Sequence, residues 1–129
     1  MSKMRKKRIL VVEDHEDNRR ILRDLLGSCG FEMLEAMTGI DGVTMAARHR
    51  PDLILMDIQL PEIDGYEATR RIKADPDLRA IPIIAVTSYA LSGDDTIAYE
   101  AGCSAYVTKP FSPRKLLATI KEQLAMSEL

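Results

Sequence analysis

The sequence predicts a doubly wound α/β domain: a five-stranded parallel sheet in order 2-1-3-4-5, with helices on both faces. Three observations predict it. Apolar, strand-like runs alternate with helix-like segments five times along 129 residues, the pattern of a parallel sheet built from helical crossovers. Four of the runs end in polar residues: Arg8-Ile9-Leu10-Val11-Val12 in Glu13-Asp14, Leu53-Ile54-Leu55-Met56 in Asp57, Ile81-Pro82-Ile83-Ile84-Ala85-Val86 in Thr87-Ser88, and Ala105-Tyr106-Val107 in Thr108-Lys109-Pro110. The remaining run, Phe31-Glu32-Met33-Leu34-Glu35, is short and partly polar, which suits a sheet edge. Right-handed crossovers restrict the winding, and the order 2-1-3-4-5 sets the weak second strand outside and the first strand beside the third.

The helices follow from spacing and caps. Ile21, Leu22, Leu25 and Leu26 share one face of the first helix, which Gly27 and Gly30 end. Thr38 caps a second helix through about His49, with Val43, Ala46 and Ala47 inward, and Pro51 forbids its continuation. Asp64 caps a third, carrying Tyr66, Ala68 and Ile72, which ends before Asp75-Pro76. Ser92 caps a fourth, with Asp95 placed for a capping box and Gly102 at its C′ position. Ser112-Pro113 opens a fifth, whose inner face is Leu116, Leu117, Ile120 and Leu124. The result is a flavodoxin-like (βα)5 arrangement.

Residues 1–129 read as one domain with a basic N-terminal edge at about 1–7. No linker, repeat or low-complexity stretch appears, and little chain follows the fifth helix, so no output domain is expected. A 46% apolar, 29% charged composition is that of an ordinary globular protein. A net charge of −2 argues against nucleic acid as a partner. The basic start precedes only four apolar residues, too few for a signal-peptide core or a membrane span. Cys29 and Cys103 lack CxxC or zinc spacing and read as free thiols in a reducing cytoplasm. The seven methionines read as core filler.

Ligands of open α/β sheets bind beyond the carboxyl ends of the strands. Glu13, Asp14, Asp57, Thr87 and Lys109 would converge there. Two like charges 4 Å apart repel by about 4 kcal/mol at an effective dielectric near 20, so three carboxylates call for a cation. Hard oxygen ligands favour Mg²⁺, which keeps positions open for phosphate oxygens. Lys109 adds a point charge for those oxygens and Thr87 a hydroxyl. Asp57 then suits a nucleophile that forms an acyl phosphate. Singly, each residue has a plainer role: a turn or cap for Asp57, a helix opening for Glu13-Asp14, a solvated Lys109, a local backbone bond for Thr87. Jointly, those roles require four independent placements to coincide at one edge.

The stretches Ile9-Leu10-Val11-Val12-Glu13-Asp14, Asp57-Ile58-Gln59-Leu60-Pro61-Glu62-Ile63-Asp64-Gly65, Val86-Thr87-Ser88 and Tyr106-Val107-Thr108-Lys109-Pro110-Phe111 resemble the receiver domain of two-component response regulators. The likeness covers nearly the whole chain and is closest to the stand-alone type. It implies phosphoryl transfer from a histidine kinase or histidine phosphotransfer protein to Asp57. It implies that Glu13 and Asp14 form the acidic metal pair, completed by Asp57 and the Gln59 backbone carbonyl around Mg²⁺. It implies Lys109 as the phosphate-contacting lysine, Thr87 and Tyr106 as the switch pair, and a cis Lys109-Pro110 bond. The target protein would be met through the face of the fourth helix, fifth strand and fifth helix, and no metabolite would be turned over. Gln59 and Tyr89 fall at positions flanking the approach to the phosphate, and Tyr89 is bulky enough to shield it.

Departures from the family pattern are small. Glu13 stands where Asp is also common, Ser88 replaces a more frequent alanine, and Gly42 replaces alanine with no functional account. His15 and His49 read as solvated helix-end residues. Ile97, Tyr106 and Leu117 suit a partner surface and half-buried core equally. Rival readings fare worse. A flavodoxin-like FMN binder would not place Glu13-Asp14 against phosphate. An aspartate-nucleophile phosphatase wants an acid where Gln59 stands, and a P-loop needs GxxxxGK[ST], which is absent. A phosphate sink or relay, and an unphosphorylated pseudo-receiver that only binds, are the alternatives within the family.

Overall fold

A computed structural model describes residues 6–88, 94–110 and 112–127. Five strands, β1 (Arg8–Val12), β2 (Glu32–Ala36), β3 (Leu53–Asp57), β4 (Ile83–Thr87) and β5 (Ala105–Thr108), alternate with five helices. These are α1 (Glu16–Ser28), α2 (Gly39–His49), α3 (Gly65–Ala74), α4 (Asp94–Ala101) and α5 (Pro113–Ser127). All strand pairs are parallel, in the order β2-β1-β3-β4-β5. The expected fold is therefore the observed one.

Strand alternation sends successive side chains to opposite faces. Leu10, Val12, Ile54, Met56, Ile83 and Ala85 build one core layer with Ala46, Ala68, Ile72 and Ala98 of α2, α3 and α4. Ile9, Val11, Leu53, Leu55, Ile84 and Val86 build the other with Leu22, Leu26, Leu116, Ile120 and Leu124 of α1 and α5. Because β1, β3 and β4 are covered on both sides, they read as unbroken apolar runs.

The Thr38 and Asp64 caps form as expected: Thr38 Oγ1 accepts from the Asp41 amide at 3.0 Å, and Asp64 Oδ1 from the Glu67 amide at 2.9 Å. The Lys115 amide lies 3.4 Å from Ser112 Oγ at the start of α5. The Ser92 cap and the Tyr89 shield lie outside the described residues.

Four local expectations change, the first being the methionines as core filler: Met37 and Met126 are exposed. Gly27 does not end α1, which continues to Ser28. Ile21 is 54% exposed; Leu22 and Leu26, one turn apart, define the inner face, and Arg19 joins them instead. Ala47 faces solvent while its neighbour Ala46 is fully buried.

Two glycines set how closely helices approach the site. A Cβ on Gly42 would lie 2.9 Å from Val12 Cγ2, which explains glycine there: α2 crosses β1 too closely for alanine. A Cβ on Gly65 would lie 2.3 Å from the Asp57 carbonyl oxygen. The first turn of α3 thus packs directly on the backbone of Asp57.

Candidate functional site

Glu13, Asp14, Asp57, Thr87 and Lys109 stand where strands end. Asp57 is the last residue of β3, registered against Val86, and its side chain is buried. Its Oδ1 accepts the Gln59 amide at 3.0 Å, which fixes the carboxylate and turns Oδ2 toward Lys109 at 3.4 Å. Glu13 follows β1 and is also buried; its amide donates to the Ala36 carbonyl at 3.0 Å. Its Oε2 accepts the His15 amide at 3.0 Å, and its Oε1 takes Lys109 Nζ at 3.0 Å. Lys109 reaches both acids because its own amide donates to the Thr87 carbonyl at 2.7 Å, extending the β4–β5 ladder by one step. The Lys109-Pro110 bond is cis, as the resemblance implied.

One half-buried ammonium therefore serves two buried carboxylates, and the shifts are unequal. Burial alone would raise the Glu13 pKa, but the His15 amide and Lys109 outweigh it and hold it below the ordinary range. Burial also pushes Asp57 up; there the Gln59 amide and Lys109 are overcome by burial together with repulsion from Glu13. Burial disfavours the Lys109 charge, yet its two acids raise its pKa overall.

Asp14 adds a third negative charge. Its Oδ1 is buried and accepts no hydrogen bond, although His15 Nδ1 lies 3.1 Å away, close enough for an ion pair when protonated. His15 precedes α1 as its N-cap, exposed, with Nδ1 also 3.3 Å from Glu13 Oε2. Ligand atoms of Glu13, Asp14 and His15 lie within 4.8 Å of one another.

Thr87 ends β4, buried and registered with Thr108. Tyr106 lies on β5 opposite Ala85, half-buried against the α2–α4 side of the core. Glu13 and Asp57 open onto a cleft of about 450 Å³, whose polar lining also includes Asn18, Ser88 and Lys109.

The Gln59 side-chain bond and the role of Arg19 escaped sequence reasoning. The Gln59 side chain reaches the turn after β4, its Oε1 accepting the Ser88 amide at 2.9 Å; nothing in local pattern signals such a bond. Arg19 Nη1 donates to the Glu13 carbonyl at 2.9 Å. Its spacing, three and seven residues before Leu22 and Leu26, did place it on the inner face.

Comparison with known proteins decides the family. The response regulator receiver domain family matches residues 9–121. The chain belongs to that family. The polar-differentiation response regulator DivK of Brucella anthropi is 46% identical over 118 residues, 92% of this chain and 96% of the relative. The receiver domain of the sensor histidine kinase PA1611 from Pseudomonas aeruginosa PAO1, solved with magnesium coordinated in its active-site cleft, is 39% identical. It superposes with a TM-score of 0.87 over 94% of this chain and 99% of its own. A CheY-like receiver domain protein from Methanospirillum hungatei is 34% identical, with a TM-score of 0.87 over 96% and 98%. Receiver domains are signalling domains of two-component systems rather than metabolic enzymes, and they act with histidine kinases and downstream targets. Among the described residues, no helix is long and apolar enough to cross a membrane.

Proposed function

We propose that residues 1–129 act as one phosphorylation-dependent receiver switch in the cytoplasm, with Asp57 accepting a phosphoryl group from a histidine kinase or histidine phosphotransfer protein. The observation that carries this reading is the Lys109 ammonium shared between buried Glu13 and Asp57 at the carboxyl edge of the sheet. The donor set also fits Mg²⁺: three carboxylates, of which only Glu13 and Asp57 share an ammonium, and a buried Asp14 oxygen that accepts no hydrogen bond. Glu13, Asp14, Asp57 and the Gln59 backbone carbonyl would hold the ion. When bound, it neutralises charge on the phosphoryl oxygens and orients them.

This chain's own residues do the rest. The Gln59 amide fixes one oxygen of Asp57 and leaves the other, which faces Lys109, to attack phosphorus. The O–P bond forms as the N–P bond to the donor histidine breaks, and the donor ring, protonated on its other nitrogen, leaves as neutral imidazole. Lys109 moves from the carboxylates toward the new phosphoryl oxygens. The domain thereby assists its own phosphorylation, and water later returns the carboxylate. Thr87 and Tyr106 carry the change to the α4–β5–α5 face, where a target protein would bind. The likeness to DivK favours a signalling regulator over a phosphate sink.

The test is phosphorylation by a small phosphodonor or a phosphorylated kinase, with and without EDTA, followed by mapping of the adduct. A Mg²⁺-dependent adduct on Asp57 alone is expected. An adduct that persists in Asp57→Asn, or one on His15, overturns the reading.

A further inference from the structure

Arg19 is buried beside Leu22 and Leu26 on the inner face of α1. A guanidinium keeps its charge in a protein, so burial demands partners. Nη1 donates to the Glu13 carbonyl at 2.9 Å, Nη2 to Glu16 Oε1 at 2.7 Å, and Nε lies 3.3 Å from Glu35 Oε1. Glu35 in turn takes Nε and Nη2 of Arg23 at 2.9 and 2.7 Å, and Arg23 Nη1 lies 3.6 Å from Glu16. Two carboxylates thus balance two guanidiniums. What Arg19 offers the acidic turn is a directed hydrogen bond more than a charge.

The bond falls at an informative place. The Glu13 carbonyl belongs to the peptide that joins Glu13 to Asp14. The peptide on the other side of Glu13 is held by its amide on the Ala36 carbonyl. Both peptide planes flanking the Glu13 Cα are therefore fixed, one by the sheet and one by Arg19.

We propose that Arg19 is a positioning residue that fixes the Glu13–Asp14 peptide and so sets the relation of the two carboxylates before a divalent cation arrives. This rests on the reading that Glu13 and Asp14 hold that cation. Charge and position predict opposite signs. As a mere nearby positive charge, Arg19 would weaken cation binding and its removal would tighten it. As a brace, its removal weakens binding, because outer-shell hydrogen bonds orient the ligands.

The experiment uses the full chain with Arg19→Met and Arg19→Lys. Mg²⁺ is titrated calorimetrically, and amide hydrogen exchange is measured in EDTA. Arg19→Met is expected to bind Mg²⁺ about 10-fold more weakly. In EDTA, its His15 amide, which donates to Glu13 Oε2, should exchange several-fold faster than in wild type. The Ile54 and Leu55 amides of β3 report global opening, and the ratio to them isolates the local effect. Arg19→Lys keeps the charge without the fork and should also weaken binding, so it decides the matter if Arg19→Met does not fold. Unchanged or tighter Mg²⁺ binding in a folded variant overturns the proposal. If wild type binds no Mg²⁺, the cation reading falls by itself, and the His15 exchange ratio still decides whether Arg19 braces the turn.

Discussion

Lys109 and Glu13 are 96 positions apart in sequence, yet the lysine ammonium lies 3.0 Å from the glutamate carboxylate and 3.4 Å from Asp57. A divalent cation would be drawn by the same two acids, so lysine and metal compete for them. Lys109→Met should therefore destabilise the metal-free protein, on the order of 3 kcal/mol for breaking a buried pair, while tightening Mg²⁺ binding. Chemical denaturation in EDTA and a calorimetric Mg²⁺ titration measure the two effects. Weaker Mg²⁺ binding in the variant would mean that Lys109 orders the acids rather than competing for them.

Of the two acids that share Lys109, Asp57 is the one whose charge is less favoured. Its pKa is pushed up by burial and by Glu13, against an unfolded value of about 3.9. Between those values the folded state binds more protons than the unfolded state, so this group's contribution to stability falls as pH rises. Below the unfolded value both states are protonated and the contribution vanishes. Asp57→Asn should accordingly be more stable than wild type at pH 7 in EDTA, with the advantage disappearing on acidification below about pH 4. Melting curves from pH 3 to 8 would refute this if the variant were less stable at neutral pH.

Gly65 shows why the site is rigid. A Cβ there would meet the Asp57 carbonyl at 2.3 Å and the Ile58 Cα at 2.7 Å, and neither backbone atom can turn aside. Gly65→Ala should cost about 1–3 kcal/mol by overpacking and slow phosphorylation of Asp57, because α3 must retreat from the residue that reacts. A variant with wild-type stability and phosphorylation rate would show that α3 shifts freely.

The sheet order and the strand-end residues were legible because they follow from polarity and period. Three buried strands carry unbroken apolar runs, the edge strand β2 carries Glu32 and Glu35, and Glu13, Asp14, Asp57, Thr87 and Lys109 sit one or two steps past an apolar run. What escaped is side-chain reach and close approach. The charge of Arg19 argues for solvent until Glu13, Glu16 and Glu35 are seen around it. Ile21 argues for the core until Leu22 and Leu26 are seen to fill it. Glycine at position 42 has no reason in the chain itself; the reason is Val12, thirty residues earlier, under α2.

The Gln59 side chain ties the turn after β3 to the turn after β4 through the Ser88 amide. Gln59→Ala should cost about 0.5–1.5 kcal/mol, speed hydrogen exchange at Ser88, and open the approach to Asp57 for water. A shorter acyl-phosphate lifetime is expected when decay is followed after removal of the phosphodonor. An unchanged lifetime with faster Ser88 exchange would separate the tether from the shielding.

Switching itself should run through Thr87. A phosphoryl group on Asp57 brings new acceptor oxygens to the end of β3, where β4 ends beside it with the buried Thr87. Drawing the Thr87 hydroxyl toward those oxygens would vacate space that Tyr106, half-buried on the neighbouring strand β5, can fill. That would change the α4–β5–α5 face. Signalling requires a partner that binds the two states unequally, since equal affinity shifts nothing. Thr87→Ala should accept phosphate on Asp57 yet lose most of the phosphorylation-dependent gain in partner affinity. The measurement is a titration of the target protein against wild type and variant, with and without beryllofluoride as a phosphoryl mimic. A variant that keeps the full affinity difference would mean that the signal leaves the site by another route.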